Sequence, residues 1–240
     1  MADLFCCQSV FDRDPVLYLD MTEPVRRGTG QVLYAAPEGA VVAVSNCDDD
    51  GIIYTLFAQN EAMADLLCRQ IPGKPEFVAT HEALSFPVVQ RHFGYRSMTP
   101  CWQVGYLDQA PLPLPNNSPF QVRPLTPAQL PLVAAHYHLT GPGYLAQRVA
   151  CGAMYGAFDG EDLAGFIGLH PEGTVGLLEV LPQYRRRGVA TLLQSYLTDL
   201  ELSRGHVPYG QVFDGNTPSL ALQRSLGYQC SAGPMYWPEF

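Results

Sequence analysis

Lysine is almost absent from this sequence and occurs once, at Lys74. The loop G-x-x-x-x-G-K-(S/T) of nucleoside-triphosphate enzymes is therefore missing, which argues against that class of protein. No apolar run reaches about 18 residues, so no transmembrane helix is expected. The sequence also begins without the basic and apolar regions of a signal peptide. These absences predict a cytoplasmic protein that does not use a membrane as a partner.

Charged residues are scarce and unevenly placed. They make up 15% of the chain, and the net charge of −9 argues against a nucleic acid as a general partner. Three arginines nevertheless stand together at Arg185, Arg186 and Arg187. Such a cluster in an acidic chain indicates a binding site for an anionic ligand.

The seven cysteines form no C-x-x-C pair and no Cys/His group at zinc spacing. The sequence therefore predicts no metal site. Reduced thiols are the simplest interpretation of the cysteines.

A proline-rich segment, QAPLPLPNNSP, begins at Gln109 and has no periodic apolar pattern, as in extended linkers. It divides the chain into a first domain at 1–108, a linker at 109–118 and a second domain at 119–240. The second domain predicts strands and helices in the order β-α-α-β-β-β-α-β-α-β. This order indicates an α+β fold with a mixed β-sheet flanked by helices.

The two halves of the chain share a sequence pattern. HEALSFPVVQRHFGY at 81–95 resembles GNTPSLALQRSLGY at 215–228, and both follow predicted strands and helices in similar order. We interpret this pattern as a degenerate duplication, with two tandem domains of one fold.

The stretch GLLEVLPQYRRRGVATLL at 176–193 joins a predicted strand to an amphipathic helix. The first turn of a helix has unpaired N–H groups and the positive end of the helix dipole. A glycine lets phosphate oxygens approach the backbone, and arginines add positive charge. A pyrophosphate group fits such a site.

This stretch resembles the GCN5-related N-acetyltransferase (GNAT) signature, (Arg/Gln)-x-x-Gly-x-(Gly/Ala) after a strand that ends in Val-x-Pro. The first match is Val180-Leu181-Pro182 followed by Arg185-x-x-Gly188-x-Ala190. A second family block is matched by Asn216, Ser219, Ala221 and Leu226-Gly227-Tyr228. The resemblance covers about residues 119–240 and implies a GNAT fold, repeated in degenerate form in the first half.

The resemblance implies an N-acetyltransferase that carries an acyl group from acetyl-CoA, or another acyl-CoA, to a primary amine. The amine would attack the thioester directly in a ternary complex, without a metal. A looser resemblance, to glycine N-acyltransferase-like proteins, implies a small molecule or an amino acid as the acceptor.

The family pattern also implies which residues bind the donor. The backbone of Val180 is expected to pair with the pantetheine arm and to hold the thioester carbonyl. Asn216 is expected near the pantetheine or the sulfur. The other expected donor-binding residues are Leu181, Arg185, Arg186, Arg187, Gly188, Val189, Ala190, Thr191 and Ser219.

The general base is not fixed by the sequence. A base must accept a proton from the amine directly or through water, and His170, Glu172 and Glu179 are the candidates. Glu179 interrupts an apolar strand, and Glu172 lies at its entry, near where family members often place a glutamate. We hypothesise that Glu172 or Glu179 is the base.

The sequence departs from the family at Gln223. Many members have a tyrosine there, which protonates the leaving thiolate, and glutamine cannot act as an acid. A thiol pKa near 8.5 makes unassisted departure tolerable, and Tyr184 and Tyr228 are alternative acids.

Ala58-Gln59-Asn60 stands where a repeat would place the phosphate loop and contains neither glycine nor arginine. The first half is therefore expected not to bind CoA, but to shape the acceptor pocket or a subunit contact. Two other functions stay open, a non-catalytic acyl-CoA sensor and an acetyltransferase for protein lysines or N-termini. A homodimer formed through sheet edges is also left open.

Overall fold

The computed structural model describes residues 3–45, 52–114 and 118–239. These residues form two compact units. The first contains the chain up to Gly105, Tyr209–Arg224 and the residues from Tyr228 onward; the second contains Tyr106–Pro208 and Ser225–Gly227. The units cut across the division at 109–118, which stays a prediction about the sequence, and linker residues 115–117 lie outside the described part.

The first unit is built on an eight-stranded mixed sheet. Its strands are β1 (Gly30–Ala36), β2 (Gly39–Ser45), β3 (Ile52–Ala58), β4 (Phe77–Thr80), β5 (Ser97–Gly105), β10 (Tyr209–Phe213), β11 (Gln229–Cys230) and β12 (Met235–Glu239). They follow the order β1-β2-β3-β4-β12-β5-β10, and β11 also pairs with β5. Only the β3–β4 pair is parallel among these ladders.

Helices α1 (Gln8–Phe11) and α2 (Leu19–Arg27) cover one face of this sheet, and α3 (Glu61–Cys68) and α4 (Phe86–Phe93) cover the other. Most of α8 (Thr217–Ser225) also belongs to this unit. Side chains alternate along a strand, so neighbouring residues enter different cores. In β2, Val42 packs with Phe11 and Tyr18, whereas Val41 packs with Leu67 of α3.

The second unit contains a four-stranded antiparallel sheet in the order β6-β7-β8-β9. Its strands are β6 (Gln121–Pro124), β7 (Met154–Asp159), β8 (Asp162–Leu169) and β9 (Val175–Val180). Its helices are α5 (Leu130–His136), α6 (Pro142–Ala150) and α7 (Val189–Ser203). Leu192, Leu193 and Leu197 of α7 are buried against the sheet, as their helical spacing predicted.

The α+β class is confirmed, and the two halves repeat their element order as predicted. The strand pairing adds a feature that the sequence did not reveal. Strand β5 ends the first half but lies beside β10 of the second half, and β12 lies between β4 and β5. The final strands of the two halves are therefore exchanged within one sheet.

No helix in the described ranges is both long enough and apolar enough to cross a membrane.

Candidate active site

Strand β9 carries a β-bulge in its middle. Gly176 pairs with Gly168 and Glu179 pairs with Phe166, so Leu177 and Leu178 both lie opposite a single residue of β8. Leu177 has a φ of 55°, which is strained for a bulky side chain. A bulge leaves an unpaired backbone position and redirects the strand. Such a feature is common beside active sites.

β9 is also an edge strand, and no other strand pairs with its outer side among the residues that the structure describes. The Leu181 N–H points inward and donates to the Ala164 carbonyl at 3.0 Å. Successive amides point to opposite edges of a strand, so the Val180 N–H points outward. The Leu181 carbonyl accepts from Tyr184 N–H at 2.9 Å. Both the N–H and the carbonyl of Leu181 therefore already have hydrogen-bond partners within the chain.

The N-terminus of α7 has no side-chain cap. Its cap residue, Gly188, has a φ of 81°, and the first helical bond runs from Leu192 N–H to the Gly188 carbonyl at 3.0 Å. The amides of Val189, Ala190 and Thr191 therefore have no acceptor within the helix. A Cβ on Gly188 would meet no atom within 4 Å, so the space before these amides is open.

The three neighbouring arginines make different contacts. Arg185 donates to the Val180 carbonyl at 3.1 Å and pairs with Glu179 at 3.2 Å. Arg187 lies over the rings of Phe120 and Tyr184, with its guanidinium carbon 4.9 Å and 5.2 Å from the ring centroids. Arg186 is exposed and makes no hydrogen bond or ion pair within the described ranges, which leaves its charge available to a ligand.

In the first half, the equivalent position is the end of β3 and the start of α3, where side chains of the chain itself occupy backbone donors. The Asn60 side chain caps α3 by accepting from Met63 N–H at 2.9 Å. Strands β3 and β4 pair through Leu56 and Thr80, and the Ala58 N–H donates to the Glu82 carboxylate at 3.0 Å. The Ala58 amide and one amide in the first turn of α3 are thus already occupied by side chains of the chain itself.

The hairpin between β8 and β9 holds two of the candidate bases. His170 N–H donates to the Thr174 carbonyl at 2.9 Å, and Thr174 Oγ1 donates to Glu172 at 2.7 Å. Burial lowers the pKa of His170, while Glu172 acts to raise it and Arg148 to lower it. His170 is therefore a neutral imidazole at neutral pH. Glu179 lies farther along β9, paired with Arg185.

Helix α6 packs two further polar side chains on this hairpin. The Tyr144 hydroxyl lies 2.6 Å from His170 Nδ1. Arg148 follows four residues later, on the same face of α6, and is buried. The sequence interpretation did not include either residue, because α6 and the hairpin are distant along the chain and no local pattern joins them.

The comparisons with known proteins agree with this geometry. The family model described as the acetyltransferase (GNAT) family matches residues 124–228, from the end of β6 to beyond α8. Residues 124–228 thus match the GNAT family, as the sequence predicted. The match shows that the chain is an acyltransferase. No curated protein sequence matches the chain.

Solved structures are similar in fold over 94% or more of the chain. A Drosophila protein is 15% identical, with a TM-score of 0.67 over 99% of this chain and 94% of its own. A GNAT-family acetyltransferase from Colwellia psychrerythraea is 15% identical, with a TM-score of 0.52 over 100% of this chain and 98% of its own. A GCN5-related N-acetyltransferase from Kribbella flavida is 13% identical, with a TM-score of 0.53 over 94% of each chain. At these identities the likeness establishes the fold.

The second GNAT block has a clear local role in the structure. Asn216 Oδ1 accepts from Ser219 N–H at 3.2 Å and caps α8. Gln223 is buried on α8, and its carbonyl accepts from the Tyr228 N–H at 3.0 Å. Asn216, Ser219 and Gln223 belong to the first compact unit, whereas the bulge, the arginines and α7 belong to the second.

Within the described ranges, no group of three or more His, Cys, Asp or Glu side chains could hold a metal ion.

Proposed function

We propose that this GNAT-family protein transfers an acyl group from acetyl-CoA, or another acyl-CoA, to a primary amine on a small molecule or an amino acid. The contrast between α7 and α3 carries the proposal. Helix α7 begins at an uncapped glycine beside a free arginine, whereas α3 is capped by Asn60. One donor site per chain, at α7, follows from this difference.

The donor's pyrophosphate would accept from the amides of Val189, Ala190 and Thr191, with Arg186 supplying charge. Gly188 permits close approach because no Cβ fills the space before these amides. Arg187 would lie at the edge of this site, packed on the rings of Phe120 and Tyr184. Arg185 would stabilise the loop through its ion pair with Glu179.

The acyl end of the donor would lie along the outer edge of β9. Its pantetheine arm would pair with this edge, and the outward N–H of Val180 would donate to the thioester carbonyl. The donation would stabilise the negative charge that develops on the carbonyl oxygen in the transition state. Leu181 would fix the strand end rather than contact the donor. The place of Asn216 near the pantetheine or the sulfur and the binding of the donor by Ser219, both implied by the family pattern, stay predictions.

Among the three base candidates, we propose His170. Glu179 is paired with Arg185, and Glu172 accepts a hydrogen bond within its turn. The lowered pKa keeps the His170 imidazole neutral, and its Nε2 makes no hydrogen bond to any described residue. Nε2 would take a proton from the amine, directly or through water.

The reaction then balances without a further cofactor. The amine nitrogen bonds to the thioester carbon, the C–S bond breaks, and its electron pair leaves on the CoA sulfur. Gln223 is buried and carries no acidic proton, so water would protonate the thiolate.

Calorimetric titration with acetyl-CoA tests the donor site, using Gly188→Asp as the variant. We expect one site of micromolar affinity, weakened on the order of 100-fold by the aspartate because a carboxylate repels the pyrophosphate. Gly205→Asp is the matched control, since Gly205 has a φ of 73°, lies just beyond the other end of α7 and has open space around it. Equal affinity in both variants would contradict the site.

A screen of amino acids, polyamines, arylalkylamines and a lysine peptide, read by thiol release from acetyl-CoA, tests the reaction. Turnover with a small amine supports the proposal. Turnover with the lysine peptide alone would mean that the acceptor is a protein lysine rather than a small amine. Binding of acetyl-CoA without turnover of any amine would favour a non-catalytic sensor.

A further inference from the structure

The half-buried imidazole of His170 is held on two sides. Its Nδ1 lies 2.6 Å from the Tyr144 hydroxyl, and the two rings are 5.9 Å apart between centroids. Its Nε2 side lies over Gly176 of β9, where an added Cβ would come within 2.5 Å of Nε2. The ring therefore fits only because position 176 has no side chain, and the same contact directs Nε2 toward the strand just before the bulge.

A neutral imidazole has one N–H and one lone pair, and its partner decides which nitrogen carries the proton. If Nδ1–H donates to the Tyr144 oxygen, Nε2 keeps its lone pair and can accept a proton. If Tyr144 donates to Nδ1, Nε2 carries the hydrogen and cannot act as a base. The base proposed above requires the first arrangement.

The charges around the ring come from two elements. Arg148 approaches from α6, and Glu172 lies in the hairpin beside His170. Arg148 disfavours a protonated ring before reaction, whereas Glu172 stabilises the imidazolium once it has formed. Tyr144 is uncharged and can hold the ring in both states. This arrangement resembles a base held by a hydrogen-bonded orienting group.

We propose that Tyr144 is a positioning residue that fixes His170 as the Nδ1–H tautomer, with Nε2 directed toward β9 as the base. This inference rests on the proposed function and adds a residue that the GNAT signature does not contain. Tyr144 acts through His170 and need not contact the substrate.

Two-bond ¹H–¹⁵N spectra of the ¹⁵N-histidine-labelled protein, without ligand, read the tautomer directly. His170→Asn assigns the signal. We expect the Nδ1–H tautomer in the unchanged protein and a mixture in Tyr144→Phe, which keeps the ring but removes the hydroxyl. Tyr137→Phe is the control, because Tyr137 packs on Phe166 and not on His170. An Nε2–H tautomer in the unchanged protein, or no change in Tyr144→Phe, would overturn the proposal.

Acetyl-CoA titration separates this proposal from the function on which it rests. Tyr144→Phe should bind acetyl-CoA as tightly as the unchanged protein, because Tyr144 is not part of the α7 site. With any amine that is turned over, its kcat should fall roughly tenfold or more, while KM for acetyl-CoA stays the same. Failure of the unchanged protein to bind acetyl-CoA would refute the donor site but leave the tautomer result standing.

Discussion

His81 lies fully buried in the first unit, with both ring nitrogens facing oxygen acceptors. Nδ1 donates to the Leu56 carbonyl at 2.9 Å, and Nε2 lies 2.8 Å from the Asp20 carboxylate. Burial opposes a charged imidazole, but Asp20 and the neighbouring Glu82 outweigh it and raise the pKa of His81 to about 9. The folded protein therefore holds an imidazolium at neutral pH.

This buried pair predicts a loss of stability at alkaline pH. The pKa is raised on folding, so its contribution is complete below about pH 6.5 and disappears as pH rises through about 9. Asp20→Asn should lower the free energy of unfolding by about 3–5 kcal/mol at neutral pH and reduce its decline between about pH 6.5 and about pH 9. Urea unfolding at several pH values measures both effects.

The partly exposed pair His92–Asp65, 2.7 Å apart, provides the control for this experiment. Asp65→Asn should change the free energy of unfolding by less than about 1 kcal/mol because solvent screens the pair. An equal loss in both variants would mean that burial does not strengthen the Asp20–His81 interaction.

Among the elements, α3 and α7 occupy equivalent places in the two halves but begin differently. Asn60→Ala should uncap α3 and cost about 1 kcal/mol of stability, whereas Asn60→Asp should keep the cap. Denaturant unfolding measures the difference. Acetyl-CoA stoichiometry should stay at one in both variants, since the Glu82 carboxylate still occupies the Ala58 amide. A second acetyl-CoA binding site in Asn60→Ala would contradict the prediction that the first half does not bind the donor.

Local patterns predicted the elements with strong periodicity or turn signals. The β7–β8 hairpin follows from Asp-Gly, and α7 follows from its apolar spacing. The helix at Leu19–Arg27 was missed because it contains Pro24 and buries Asp20 and Glu23, which breaks the apolar pattern. Strand β5 was missed because it contains Pro100 and its partners lie more than 100 residues away in sequence.

The residues of the candidate site likewise include some that the sequence reveals and some that only the folded structure brings together. Gly188 and the arginines could be found from the sequence because one continuous segment carries them. The Tyr144–His170 contact could not, since it joins α6 to a hairpin 26 positions away through tertiary packing alone. The distinct partners of Arg185 and Arg187, and the side chain of Arg186 that is free among the described residues, also depend on the folded loop.

For the whole molecule, the exchanged strands predict that neither half is independent. Residues 1–108 lack β10 and β12, so β4 and β5 would expose unpaired edges, and such edges promote aggregation. Expressed alone, this fragment should not unfold cooperatively. Coexpressed with residues 119–240, it should copurify as one complex.

A protease site placed in the predicted linker tests the same point in the intact protein. After cleavage the two pieces should elute together in gel filtration and separate only in denaturant. Separation in native buffer would show that the exchanged strands do not hold the halves together.

The position of β12 between β4 and β5 also sets an order of events during protein synthesis. The ribosome completes β5 at Gly105, but β12 begins only at Met235. At typical elongation rates this interval lasts on the order of 10 s, long compared with hairpin formation. During that time the nascent first half has an unfilled place in its sheet, which is a ready binding site for a chaperone.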